Sequence, residues 1–252
     1  MLRAVLVLAL ASVLAGCVTS GTSDPLKTAK GRENARDAYI RLGLGYLQEG
    51  NPERAKIPLK KALELDSSSA DAHAALALVF QTEMEPSLAD KEYREALSLR
   101  RNDARILNNY GSFLFEQGRY AEAYERFTEA SQDSLYPERS RVFENLGLTA
   151  LRLNKPELAR EHLEKSLRLN SKQPRALLEM AQLSFDQREY VPARQYYELF
   201  SQISAQDARS LLLGIRLAEI FNDRDTAASY TLQLKRLYPA SAEYRQLQTE
   251  QR

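Results

Sequence analysis

Six alanines set the frame of this chain. Ala55, Ala89, Ala123, Ala159, Ala193 and Ala227 recur at intervals of 34, 34, 36, 34 and 34 residues. Self-similarity at such a period means a stack of like supersecondary units rather than one closed core. The alignment divides the chain into six repeats at 36–69, 70–103, 104–139, 140–173, 174–207 and 208–241. The third carries two extra residues in its closing loop near Tyr136 and Pro137.

Within that frame the residue classes recur for packing reasons. Position 7 holds Leu42, Leu76, Tyr110, Leu146 and Met180, and position 8 holds Gly43, Ala77, Gly111, Gly147 and Ala181. A large residue beside a small one lets two helices approach closely. Position 24 is Leu59, Tyr93, Phe127, Leu163 and Tyr197, and position 27 is Ala62, Ala96, Ala130 and Ser166. Between these runs, position 15 holds Gly50, Gly118, Asn154 and Asn222, residues that tolerate the left-handed backbone ending a helix. Position 17 holds Pro52, Pro86 and Pro156, where proline suits the first turn of the next helix. Each repeat is predicted to be a helix hairpin.

This pattern resembles the tetratricopeptide repeat (TPR) and covers 206 of 252 residues. The resemblance implies an all-α fold, a right-handed superhelix (α-solenoid) of six repeats with the first helices lining its concave side. Because a single hairpin cannot bury its apolar face, stability comes from stacking, and the last unit needs a polar cap. Residues 242–252 are expected to form that capping helix. Repeat six departs from the pattern: Gly214 and Ile215 reverse the large-small order, which leaves the register of its first helix open. Pro58 falls inside a predicted helix, where it removes a backbone hydrogen bond.

The N-terminus follows different rules. Arg3 gives a positive start, residues 4–14 are apolar, and Leu14-Ala15-Gly16-Cys17 closes the stretch with small residues. It is too short for a bilayer span, which needs about 20 apolar residues, and reads as a cleaved export signal over residues 1–16. The tetrad resembles the lipobox of bacterial lipoproteins. That resemblance implies acylation of Cys17, the only cysteine in the chain, with outer-membrane lipid as partner. Each buried CH₂ contributes ~0.8 kcal/mol, so two or more acyl chains hold stably. Val18, rather than Asp, follows the cysteine, which in the sorting logic of such lipoproteins implies the outer membrane, with the body facing the periplasm. Residues 17–35 are expected to be a lipidated flexible tether, its eighteen residues beyond Cys17 spanning ~25 Å.

Composition narrows the partners. Without residues 1–16 the chain carries 34 basic and 34 acidic side chains with no long run of one sign, which argues against nucleic acid. A single cysteine excludes an intramolecular disulfide and any multi-cysteine metal site. His73 and His162 are the only histidines and lack metal-site spacing. No phosphate-binding glycine loop or nucleophile context is present. The chain is therefore expected to be no enzyme, with no metal, no cofactor beyond the covalent lipid and no small-molecule substrate.

What remains is protein binding. In the TPR family, positions 5, 9 and 12 of the first helix face the concave side. Repeat one offers Ile40, Leu44 and Leu47 there, and repeat two offers Leu78, giving an apolar strip. Two readings stay open: anchors for an amphipathic partner segment, or packing against the neighbouring repeat. Further along, position 2 holds Arg105, Arg141, Arg175 and Arg209, a basic ledge that either meets acidic partner segments or pairs with nearby carboxylates. Asn108 is a candidate for bonding an extended backbone.

A lipobox, a tether and six TPRs in this order and length resemble the PilF/PilW family of type IV pilus biogenesis lipoproteins. The resemblance implies a pilotin that binds PilQ-like secretin subunits and promotes their outer-membrane localisation and multimerisation, in support of twitching motility. The rival interaction reading is a TPR lipoprotein serving outer-membrane protein insertion or peptidoglycan enzymes.

Overall fold

A computed structural model describes residues 25–250. The signal segment, Cys17 and the first part of the expected tether lie outside the described residues. Within them, a 3-10 turn at Pro25–Lys27 is followed only by α-helices, in two compact units that divide after Leu99.

The first unit holds two hairpins: α1 (Ala29–Gln48) with α2 (Pro52–Leu65), and α3 (Ala70–Thr82) with α4 (Pro86–Leu99). Its core gathers Leu59, Leu76, Val79 and Ile40, with Leu44, Leu47 and Phe80 packed against them. The second unit holds four more: α5 (Ala104–Glu116) with α6 (Tyr120–Ser131), α7 (Arg139–Arg152) with α8 (Pro156–Leu169), α9 (Pro174–Asp186) with α10 (Tyr190–Ile203), and α11 (Ala208–Ile220) with α12 (Arg224–Leu237). A last helix, α13 (Ala242–Glu250), packs Leu247 onto Leu211, Leu212, Ile215 and Leu234.

Every first helix ends at repeat position 13 and every second helix begins at position 17. The turn between them is a Schellman motif in all six repeats. In the second repeat, for example, the Met84 N–H donates to Gln81 O at 3.1 Å and the Glu85 N–H to Phe80 O at 2.9 Å; in the fifth, Arg188 donates to Phe185 O and Glu189 to Ser184 O. The residue at position 15 carries positive φ each time. Gly50 and Asn154 meet this need readily, whereas Met84 (φ 58°) and Arg188 (φ 62°) adopt it against their intrinsic preference. The hydrogen-bonded turn imposes the conformation there.

Close helix approach has the cause the repeat pattern predicts. A Cβ on Gly43 would stand 2.5 Å from Leu59 Cγ, and one on Gly147 would stand 2.6 Å from Leu163 Cγ. Repeat six keeps its register: α11 starts at position 1 with a capping box between Asp207 and Ser210. The reversed pair turns Gly214 toward Tyr197 and Tyr230, whose rings fill the space a side chain would need.

Two expectations change. The tether stops short of residue 35, because α1 begins at Ala29. Thr28 Oγ1 accepts the Gly31 N–H at 2.9 Å as its cap, and helix-compatible residues follow. Leu42, placed among the packing residues, is 47% exposed. Position 7 packs on the preceding repeat, as Met180 does on Leu163, and only the Pro25–Lys27 turn precedes α1 among the described residues. Pro58 sits inside α2 with its ring buried, and nothing further in the structure explains it.

Candidate binding cleft

Position 5 of the first helix is buried in every repeat, as Ile40, Ala74, Asn108, Glu144, Leu178 and Leu212. It forms the floor of the hairpin face, and positions 9 and 12 rise from it. In the first unit this decides between the two readings of the apolar strip at one residue. Ile40 belongs to the core, because one turn of helix brings it against the second repeat. Leu44, Leu47 and Leu78 are half-buried and keep part of their surface.

In the second unit, α5, α7, α9 and α11 line two adjoining clefts of about 230 and 350 Å³ that share Phe115, Leu148 and Arg175. Ser112, Glu116 and Asn145, with Phe127 of α6, complete the smaller; Leu151, Arg152, Glu179 and Arg209 complete the larger. The four arginines of the ledge have different fates. Arg105 lies 3.7 Å from Asp103, and Arg141 lies 3.6 Å from Glu138. Arg209 forms a two-pronged pair with Glu179, at 2.6 and 2.8 Å. Arg175 is exposed and has no hydrogen bond or ion pair among the described residues.

The repeat geometry explains that difference. Glu179 occupies position 6 and Arg209 position 2 of the following repeat, so these positions face each other across a repeat boundary. One repeat earlier, position 6 is Asn145, which offers no charge; its Nδ2 donates to Asn108 Oδ1 at 3.1 Å. Asn108 is therefore buried with its carbonyl already occupied, which removes it as a ready partner for an extended backbone. Beside Asn145, Glu144 is only 8% exposed and makes no hydrogen bond to a described residue. Burial pushes its carboxyl above the usual glutamate range, opposed by the charges of Arg175 and Arg141. Glu179, Arg152, Glu116 and Asn145 are cleft residues that position-by-position reading missed; the pairing of position 6 with position 2 is the signal that finds Glu179.

Both histidines are held within the fold. His73 Nδ1 lies 2.6 Å from Glu92 Oε2, and His162 Nε2 lies 2.8 Å from the Tyr124 hydroxyl. Burial lowers the His162 imidazole below its ordinary range.

Models of the tetratricopeptide repeat match residues 37–69, 102–172 and 144–208. The chain is 70% identical over 248 residues to the type IV pilus assembly protein PilF of Pseudomonas aeruginosa, covering 98% of each chain. The chain belongs to the PilF family. A solved structure of P. aeruginosa PilF, also 70% identical, superposes with a TM-score of 0.86 over 87% of this chain and 99% of that one. PilW, a type IV pilus biogenesis factor, follows at 27% identity and a TM-score of 0.73, over 84% of this chain and 97% of PilW. The all-helical TPR architecture is thus that of the PilF family, and the chain is a repeat-built protein of pilus assembly.

Proposed function

We propose that this protein is an outer-membrane pilotin: it is carried by its lipid to the outer membrane, binds secretin subunits, and promotes their localisation and multimerisation. One observation carries the reading. A chain 70% identical to a pilus assembly protein over nearly its whole length joins a lipid-attachment motif at Cys17 to a body built of hairpins with solvent-facing clefts.

The physics is that of two linked attachments. Acyl chains on Cys17 confine the body to the membrane through the segment that joins them. A subunit held by the body then meets other subunits at the high effective concentration that linkage provides. No bond is made or broken in this role. The test is Cys17→Ser. The variant is expected to fold and bind secretin subunits as wild type does, while secretin multimers are lost from the outer membrane. Normal multimers there in the variant would refute the escort role.

A further inference from the structure

The larger cleft of the second unit contains more positive charge than the fold consumes. Glu179 is its only carboxylate-bearing lining residue, and both its oxygens are taken by Arg209. Arg152 and Arg175 line the same cleft, are exposed, and have no hydrogen bond or ion pair among the described residues. Phe115, Leu148 and Leu151 line the cleft with them, an apolar surface that is half-buried or buried. Buried Glu144 interacts with Arg175 only through its charge and makes no hydrogen bond to a described residue.

Two uncommitted guanidiniums around an apolar floor specify what fits. A guanidinium binds a carboxylate through paired donors that an ammonium site lacks, and such charge-assisted hydrogen bonds are the strong ones. Phe115, Leu148 and Leu151 ask for aliphatic or aromatic side chains beside that carboxylate. We infer that this cleft is a docking site for an internal acidic segment of a protein partner, with Asp or Glu side chains on Arg175 and Arg152 and apolar neighbours against Phe115, Leu148 and Leu151. This inference goes beyond the escort reading, since it concerns the chemistry of the bound segment and needs neither membrane nor secretin.

The test is a fluorescence-anisotropy titration of the full chain, in detergent, with three labelled and C-terminally amidated dodecapeptides. Each sets leucines around two variable residues, which are Glu, Gln or Lys. The Glu peptide is expected to bind about tenfold tighter than the Gln peptide, and to weaken as salt rises. The double variant Arg152→Glu/Arg175→Glu should lose that preference and favour the Lys peptide. Both side chains are exposed, so the fold should persist; Arg152→Gln/Arg175→Gln, which should level the three affinities, provides a second variant. Equal affinities in the wild type, no binding of the Glu peptide, or an unchanged preference in both variants would overturn the assignment. So would self-association of the chain that the arginine variants abolish, which would make a second copy the occupant.

Discussion

A Cβ placed on Gly111 would stand 2.7 Å from Cε1 of Phe127, so the two helices of the third repeat meet where only glycine fits. Phe127 is almost fully buried. Gly111→Ala must therefore push α5 and α6 apart or force the ring off its rotamer, a strain that costs about 1–3 kcal/mol in packed cores. Urea unfolding of the variant should show a lower midpoint. An unchanged midpoint would mean that the hairpin opens without resistance, and that the small residue at position 8 is not what sets helix spacing.

Position 15 makes the opposite prediction. Met84 and Arg188 sit in the left-handed region with φ of 58° and 62°, and neither side chain is needed for packing, since Met84 is 87% exposed and Arg188 is exposed. A left-handed L-residue costs roughly 1–2 kcal/mol, part of which glycine gives back as entropy. Met84→Gly and Arg188→Gly are each expected to stabilise the fold by about 0.5–1 kcal/mol, and the double variant by nearly the sum, because the two turns share no hydrogen-bond partner. Thermal unfolding would check both.

These two positions also show how far the amino-acid sequence reaches. Gly50, Gly118, Asn154 and Asn222 announce their turn because their own preference agrees with it, whereas Met84 and Arg188 are held by hydrogen bonds from flanking backbone that no single residue type reveals. The same division runs through the cleft. Periodicity placed Ile40 and Leu44 on one helix face but not at a depth, and depth is what separates the buried Ile40 from the half-buried Leu44. Four arginines at position 2 looked alike along the chain. Their difference arises across repeat boundaries, where Glu179 meets Arg209 but Asn145 leaves Arg175 uncommitted. Contacts between successive repeats depend on two positions at once, and a residue-by-residue reading sees only one.

Glu144 makes stability depend on pH in an unusual direction. Its carboxyl is raised chiefly by burial, so the folded state holds its proton at pH values where the unfolded chain, with glutamate near its ordinary value of about 4.3, has lost it. Over that window the native state binds more protons, and stability contributed by this group is full at acid pH and lost as pH rises through the folded value. Asp66 acts the other way, its carboxyl lowered first by its hydrogen bond from Arg36. The difference between Glu144→Gln and wild type isolates the one group. Gln keeps the shape without the buried charge, so the variant should be more stable near neutral pH by on the order of 1 kcal/mol. That gain should shrink steadily toward acid pH, where the wild-type carboxyl is itself neutral. Urea midpoints measured for both proteins across the acid-to-neutral range give the result directly. A gain that stays constant with pH would assign it to packing and remove the buried charge as its cause.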